Sequence, residues 1–385
     1  MRGELLAFKD KARRAPFGHF ATAVPGRSPS SHAAKTHTAP SEMNIAASAF
    51  SAAFLACYLL LHHIRTDPAA AMTSSVFEQG SHGVSLNRVA EARGCSPARN
   101  KDRYLPPKPL LVAAPREAGE YPVLVFLHGY LAVNTFYSQL LHHVASHGFV
   151  VIGPQLYTVS GPDTTAEIDA AASVIDWLAT GLGSVLPPDV HADLTRVSVA
   201  GHSRGGKVAF TLALGHAANK FSPTTKLAAL VAVDPVDGMG PGKQTPPPIL
   251  TGRNASLHVP APVMVIGTGL GELPNGPLIP PCAPKRVSHA AFYDECAGVR
   301  RCHLVARDYG HTDMMDDDTG GARGMLTRAL CRSGGAREPM RRFVAGATVA
   351  FLKKWTGGDG AALDGIWACP ETAPVVLSVL EFEDK

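Results

Sequence analysis

Several large classes of protein leave marks that this sequence lacks. Its seven cysteines (Cys57, Cys95, Cys282, Cys296, Cys302, Cys331 and Cys369) form no Cys-x-x-Cys pair. Structural zinc needs thiolates and imidazoles at close, repeated spacing, so no metal site is expected. No Gly-x-Gly-x-x-Gly follows an apolar strand-like run, and nothing calls for a dinucleotide or another organic cofactor. Lys and Arg are scattered, the formal net charge is only +4, and no basic stripe interleaved with aromatics appears. Nucleic acid is therefore not an expected partner. No internal repeat is visible. Hydrophobic residues make up 45% of the chain and charged residues 18%, a balance that suits a globular protein with a sizeable core. A length of 385 residues fits one α/β core with insertions and a tail. Cys282, Cys296 and Cys302 are close enough in sequence for a disulfide among them. Buried free thiols in a reducing compartment are the alternative.

Residues 1–71 are a different kind of sequence, rich in Ala, Ser, His and Arg and poor in acids. An apolar run from Ile45 to Leu61 is diluted by Ala and Ser. It falls between the length of a secretory core and that of a membrane span. The segment reads as an organelle transit segment, as a signal or anchor with a long leader, or as an upstream stretch absent if translation begins at Met72. We expect it to be removed or absent from the mature protein and assign the catalytic domain to residues 72–385.

Beyond it, apolar runs alternate with helical spacing. Tyr121 to Gly129 is an apolar run stopped by His128-Gly129, as a buried parallel strand should be. Asn134 to Ser146 has helical spacing, and Phe149 to Gly153 is a second strand. Thr164 to Thr180 is a helix opened by a Thr-Thr-Ala-Glu pattern that matches a capping box. Arg196 to Ala200 is a strand, Gly205 to Ala218 a helix, and Leu227 to Val233, Pro262 to Gly267 and Cys302 to Ala306 are further strands. Glu338 to Lys354 is a closing helix. This alternation predicts a mostly parallel sheet with helices on both faces. Pro- and Gly-rich stretches at 237–260 and 270–302 interrupt it. Both follow carboxyl ends of strands, where sites sit in open α/β sheets. Their apolar residues, Ile249 and Leu250 in one and Leu273, Leu278, Ile279 and Phe292 in the other, are expected to form a wall over the site.

One junction carries chemistry. Val197 to Ala200 is strand, Gly201-His202-Ser203-Arg204-Gly205 is a sharp turn, and a helix follows. In Gly-x-Ser-x-Gly the serine sits on a strained turn that lifts its hydroxyl above the sheet edge. The pentapeptide alone is weak, but strand and helix flank it as required. This is the nucleophile elbow of an α/β-hydrolase fold, with loop insertions covering the site. A serine hydroxyl is a poor nucleophile until a neutral imidazole takes its proton and a carboxylate orients that imidazole. The chain order in this fold is Ser, acid, His. His311 lies in a loop just past the last predicted strand. His289 and His303 read as ordinary histidines, and His202 is expected to point away from the serine. For the acid, Asp234 ends one strand before a proline and Glu272 follows the next strand; Asp237 and Asp308 are lesser choices. The residues alone leave Asp234 and Glu272 open. Oxyanion donors are expected from the N–H of Arg204 and from Tyr130 or Leu131, after His128-Gly129.

Larger motifs carry a resemblance. Gly-His-Ser-Arg-Gly-Gly-Lys at 201–207, Val-Asp-Pro-Val-Asp-Gly at 233–238 and Val-Ile-Gly-Thr-Gly-Leu-Gly-Glu at 265–272 resemble plant chlorophyllases. So do His-Ala-Ala-Phe-Tyr-Asp-Glu-Cys at 289–296 and Asp-Tyr-Gly-His-Thr-Asp-Met-Met-Asp-Asp-Asp at 308–318. The likeness runs from about Met72 to the end. It implies hydrolysis of the phytyl ester of chlorophyll to chlorophyllide and phytol, with Ser203, Asp234 and His311 as the triad, and so decides for Asp234. It also implies a chloroplast location, with cytosol, endoplasmic reticulum or vacuole as alternatives, and peripheral contact with membrane. The competing readings are a general carboxylesterase or cutinase-like lipase, and a pigment-binding protein on a hydrolase scaffold.

Overall fold

A computed structural model describes residues 76–92, 104–216, 225–298 and 300–384. The readings made on residues 1–71, on Cys57 and on Cys95 lie outside the described residues. All that is described belongs to one compact unit, Arg65–Lys385.

The strands in chain order are β1 (Val84–Val89), β2 (Leu110–Pro115), β3 (Gly119–Leu127), β4 (Val150–Pro154), β5 (Val190–His202), β6 (Leu227–Val233), β7 (Leu257–His258), β8 (Val263–Thr268), β9 (Cys296–Ala297), β10 (Arg300–Ala306) and β11 (Leu377–Asp384). Nine of them form one sheet in the order β1-β2-β4-β3-β5-β6-β8-β10-β11, while β7 and β9 pair separately. From β4 to β10 every neighbour is parallel, with Val125 opposite Val199, Ala200 opposite Val231, Ala232 opposite Val265 and Ile266 opposite Leu304. The expected mostly parallel α/β sheet is what the chain forms. Its edges are antiparallel: β1 on β2, β2 on β4 and β11 on β10.

Successive side chains of a strand point to opposite faces, so each strand feeds two cores. Leu124, Phe126, Ala200, Val231, Met264 and Leu304 share one core on one face with Leu140, Leu141 and Val144 of α1 (Ser138–Ser146). The neighbours Val123, Val125, Val199, Leu230 and Val265 pack on the other against α2 (Thr165–Gly181) and α3 (Arg204–Ala213). The remaining α-helices among the described residues are α4 (His289–Glu295), α5 (Gly321–Leu330), α6 (Arg337–Gly357) and α7 (Ala361–Ala368). α6 supplies Phe343, Val344 and Phe351 to the first core. Among the described residues no helix is long and apolar enough to cross a membrane.

Three local expectations are corrected. The Thr164 side chain makes no cap bond. Its hydroxyl donates instead to the Pro246 carbonyl, and Glu167 is taken by Arg204. The disulfide joins Cys282 to Cys331, 49 residues on, and leaves Cys296 and Cys302 as buried free thiols. The wall divides: Ile249, Leu250 and Phe292 are buried, Phe292 with its ring 4.9 Å from Phe210, but Leu278 is 92% exposed and Leu273 is exposed too. They sit in a stretch too rich in Pro and Gly for regular structure.

Candidate active site

β5 ends at His202 and α3 begins at Arg204, so Ser203 alone makes the turn. It does so at φ 58° and ψ −123°, a region that a side-chain-bearing residue rarely occupies. The flanking glycines explain how the turn closes. A Cβ on Gly201 would lie 2.2 Å from the Gly205 carbonyl oxygen, and one on Gly205 would lie 2.3 Å from that of Leu127. Any larger residue at either place would push the serine off its perch.

The Ser203 hydroxyl donates to His311 Nε2 at 2.8 Å, and His311 Nδ1–H donates to Asp234 Oδ2 at 2.7 Å. All three residues are buried. Asp234 follows β6 directly and turns out of the strand at φ 43°. Its carboxylate also accepts from Thr268 Oγ1 on Oδ2 at 2.7 Å and from the Thr268 N–H on Oδ1 at 3.3 Å. Burial pushes this carboxyl up, but the bond from His311, with help from Thr268, outweighs burial and leaves Asp234 below its ordinary value. It is thus an anion at neutral pH, aimed at the ring nitrogen that faces away from the serine.

The other acid candidates lie elsewhere. Glu272 accepts from Ser288 Oγ at 2.8 Å and lines a cavity of about 540 Å³ with Gln244, Leu250, Lys285 and Asp294, a cavity whose lining includes neither Ser203 nor His311. Asp308 is exposed and paired with Arg307. Asp237 is fully buried, 2.8 Å from the fully buried Lys207 Nζ. Burial pushes Lys207 down and Asp237 up, and their pairing opposes both shifts. Asp237 Oδ2 accepts from the N–H groups of Ile249 and Leu250, and Lys207 donates to the Thr245 carbonyl. This pair therefore pins the 237–250 insertion onto α3.

Of the expected oxyanion donors, Arg204 directly follows Ser203, and Tyr130 and Leu131 follow Gly129, which packs against the serine. The N–H groups of Tyr130, Leu131 and Arg204 have no hydrogen-bond partner among the described residues. Leu131 takes a left-handed φ of 61°, and a Cβ on Gly129 would come 3.0 Å from that of Ser203. The Arg204 side chain turns away to Glu167, at 2.6 Å, and to the carbonyls of Gly161 and Asp163.

Sequence reasoning missed the framework behind these groups. His202 does not simply point away: its Nε2 lies 2.7 Å from the His311 carbonyl and its Nδ1 lies 2.7 Å from the Tyr137 hydroxyl. Burial pushes His202 down to about 3, so the ring is neutral. A carbonyl only accepts, so Nε2 carries the proton and Nδ1 accepts from Tyr137. The Gly129 N–H donates to the same Tyr137 oxygen at 3.2 Å. One buried chain therefore ties the Gly129 loop to the backbone of His311. His128 braces that loop from the other side. It accepts from the Leu156 N–H at 3.1 Å and donates from Nδ1 to the Gly129 carbonyl at 3.0 Å. Burial pushes His128 down to about 4. Asp313 holds the histidine loop by accepting from the N–H of Gly310 and Gly334 and from Ser333 Oγ. His289 and His303 pair with each other at 2.9 Å; neither hydrogen-bonds Ser203 or Asp234. In the sequence Asp313 stood out only inside the 308–318 motif, and Tyr137 only as one residue of the helical stretch 134–146.

Known proteins resemble this chain over most of its length. A family model described as Chlorophyllase matches residues 72–384. Chlorophyllase-2 of Arabidopsis thaliana is 47% identical over 321 residues, covering 82% of this chain and 99% of that protein. Chlorophyllase-1 of the same plant is 41% identical over 310 residues, 80% and 93% of the two chains. Cutinase est2 of Thermobifida alba is 34% identical over only 94 residues, 24% of this chain and 30% of the other.

Proposed function

Because the chain belongs to the chlorophyllase family and is a carboxylic ester hydrolase, we propose that it cleaves the phytyl ester of chlorophyll, with Ser203 as nucleophile, His311 as base and Asp234 as orienting acid. The reading rests on the hydrogen-bonded chain from Ser203 Oγ through His311 to Asp234. Ser203 Oγ attacks the ester carbonyl carbon while His311 Nε2 takes its proton. The N–H of Arg204, with that of Tyr130 or Leu131, holds the oxyanion. Collapse of the tetrahedral intermediate expels phytol, which takes the proton back from His311. Water, deprotonated by the same histidine, then releases chlorophyllide and restores the serine. Asp234 stabilises the imidazolium in both halves.

The catalytic unit in this reading is residues 72–385, and the match of the family model to residues 72–384 supports it; residues 1–71 are an extension outside the chemistry. A chloroplast location fits the relatives from Citrus unshiu and Citrus sinensis named as chloroplastic chlorophyllases. Peripheral contact with membrane belongs to the same proposal, because a phytyl ester dissolves in lipid and not in water. The cutinase likeness covers too little of the chain to favour a general lipase. The test is incubation of the purified protein with detergent-dispersed chlorophyll and analysis of the products. Chlorophyllide and phytol are expected from the wild type. Ser203→Ala should lose about 10⁴–10⁶ in rate and escape labelling by a serine-directed phosphonate. Undiminished turnover by that variant would refute the mechanism.

A further inference from the structure

Among the described residues, Leu86, Tyr104, Trp367 and Val376 are exposed at scattered places, but most exposed large apolar side chains lie on loops at one end of the sheet. Every loop that leaves the carboxyl end of a central strand beside Ser203 carries one. Tyr130 follows β3, Val159 (84% exposed) follows β4, Met239 follows β6, Leu278 follows β8, and Met325 (68% exposed) and Leu326 follow β10. In a parallel sheet these carboxyl ends share one edge, the edge above which the Ser203 turn stands. The loops are also joined laterally. Arg323 donates to the Thr158 carbonyl, Asn275 donates to that of Ala329 at 2.8 Å, and Cys282 is bonded to Cys331.

α5 is inverted relative to an ordinary surface helix. Its buried residues are Gly324 and Thr327, whereas Met325 and Leu326 face water. A helix normally turns its apolar stripe to the core. Its own charged residues, Arg323 and Arg328, are both basic. Lys243 and Lys285, exposed on the neighbouring insertions, carry the same sign. The acids nearest in sequence are Asp317, which pairs with Arg341 at 2.7 Å, and Asp318. An outward apolar face with basic flanks matches a surface that is oily within and anionic at its border.

We infer that this rim, with α5 at its centre, docks onto an anionic lipid surface so that the Ser203 mouth opens toward the bilayer. The inference rests on the proposed ester substrate, which would pass from lipid to site without crossing water. It also accounts for Leu278 and its neighbours standing outward instead of walling the cleft.

Vesicles of phosphatidylcholine and phosphatidylglycerol carrying brominated acyl chains test it on the full chain. A Leu326→Trp variant should gain fluorescence that these vesicles quench, and a Leu86→Trp variant, on β1, should not. Met325→Ser combined with Leu326→Ser should lower the hydrolysis of vesicle-embedded chlorophyll about tenfold or more, since loss of two inserted apolar side chains amounts to at least one decade in partition. The same variant should keep its rate on a short p-nitrophenyl ester and its melting temperature. Absence of quenching in the Leu326→Trp variant, or equal rates on embedded chlorophyll, would overturn the inference. So would concentration-dependent self-association that the Met325 and Leu326 substitutions abolish, for then a second copy covers the rim. Quenching in the Leu326→Trp variant without hydrolysis of detergent-dispersed chlorophyll would uphold the surface and refute the substrate reading instead.

Discussion

Replacing Asp234 by Asn separates the two acids that the chain places on adjacent strands. The Thr268 N–H points at Oδ1, so the Asn carbonyl should settle there and leave its NH₂ where Oδ2 now stands. That NH₂ would face His311 Nδ1, at the present 2.7 Å. Two donors cannot face each other, so His311 should move its proton to Nε2. The ring could then no longer accept the Ser203 proton. The lost charge adds to the lost tautomer: an imidazolium and a carboxylate about 4 Å apart attract by about 4 kcal/mol at an effective dielectric of ~20. At about 1.36 kcal/mol per decade that alone is a factor of roughly 10³. With the tautomer, the expected fall in kcat is about 10⁴. The assay is steady-state hydrolysis of a short p-nitrophenyl ester, which needs the triad and little else. Glu272→Gln, which disturbs only the bond to Ser288, should leave the rate near that of the wild type. A loss of less than about tenfold in Asp234→Asn, or an equal loss in Glu272→Gln, would refute the assignment.

Tyr137→Phe should lower kcat by roughly 10–100-fold with KM little changed, because the Gly129 N–H and His202 Nδ1 each lose a buried partner worth about 1–3 kcal/mol; a fall in melting temperature with kcat intact would show that the Tyr137–His202 chain only supports the fold. Acid should destabilise the protein early. His128 is held at about 4, and His202 and His303 at about 3, all by burial, whereas an unfolded histidine titrates near ~6.5. The unfolded chain therefore binds more protons as pH falls below that value. Stability is full above it and declines by up to about 4 kcal/mol per pH unit for the three groups together until the folded values are reached. Scanning fluorimetry should show the melting temperature falling between pH ~6.5 and ~4, and a flat or rising profile would contradict neutral burial of these rings. Deleting residues 1–71 should leave the melting temperature and short-ester hydrolysis nearly unchanged; a large drop in melting temperature would mean that the segment packs on the catalytic unit.

What could be read from the chain was what short-range physics decides. Apolar runs such as Leu227–Val233 coincide with their strand because a strand buried on both faces needs no partner-specific pattern. The elbow was legible because Gly201 and Gly205 lie within the same few residues as the turn they permit. The edge strands β1 and β11 escaped notice since one is largely exposed and the other pairs only through distant hydrogen bonds. Choosing between Asp234 and Glu272 from the residues alone was beyond local pattern, because both stand just past the ends of neighbouring strands and only the packed sheet decides which reaches His311. The pairing of Cys282 with Cys331, and the bond from His202 to a carbonyl 109 residues away, are likewise products of tertiary folding. So is the outward face of Leu278 and Met325. Burial and long-range partners are properties of the assembled chain, and local sequence pattern records them only where a single short segment carries both halves of a contact.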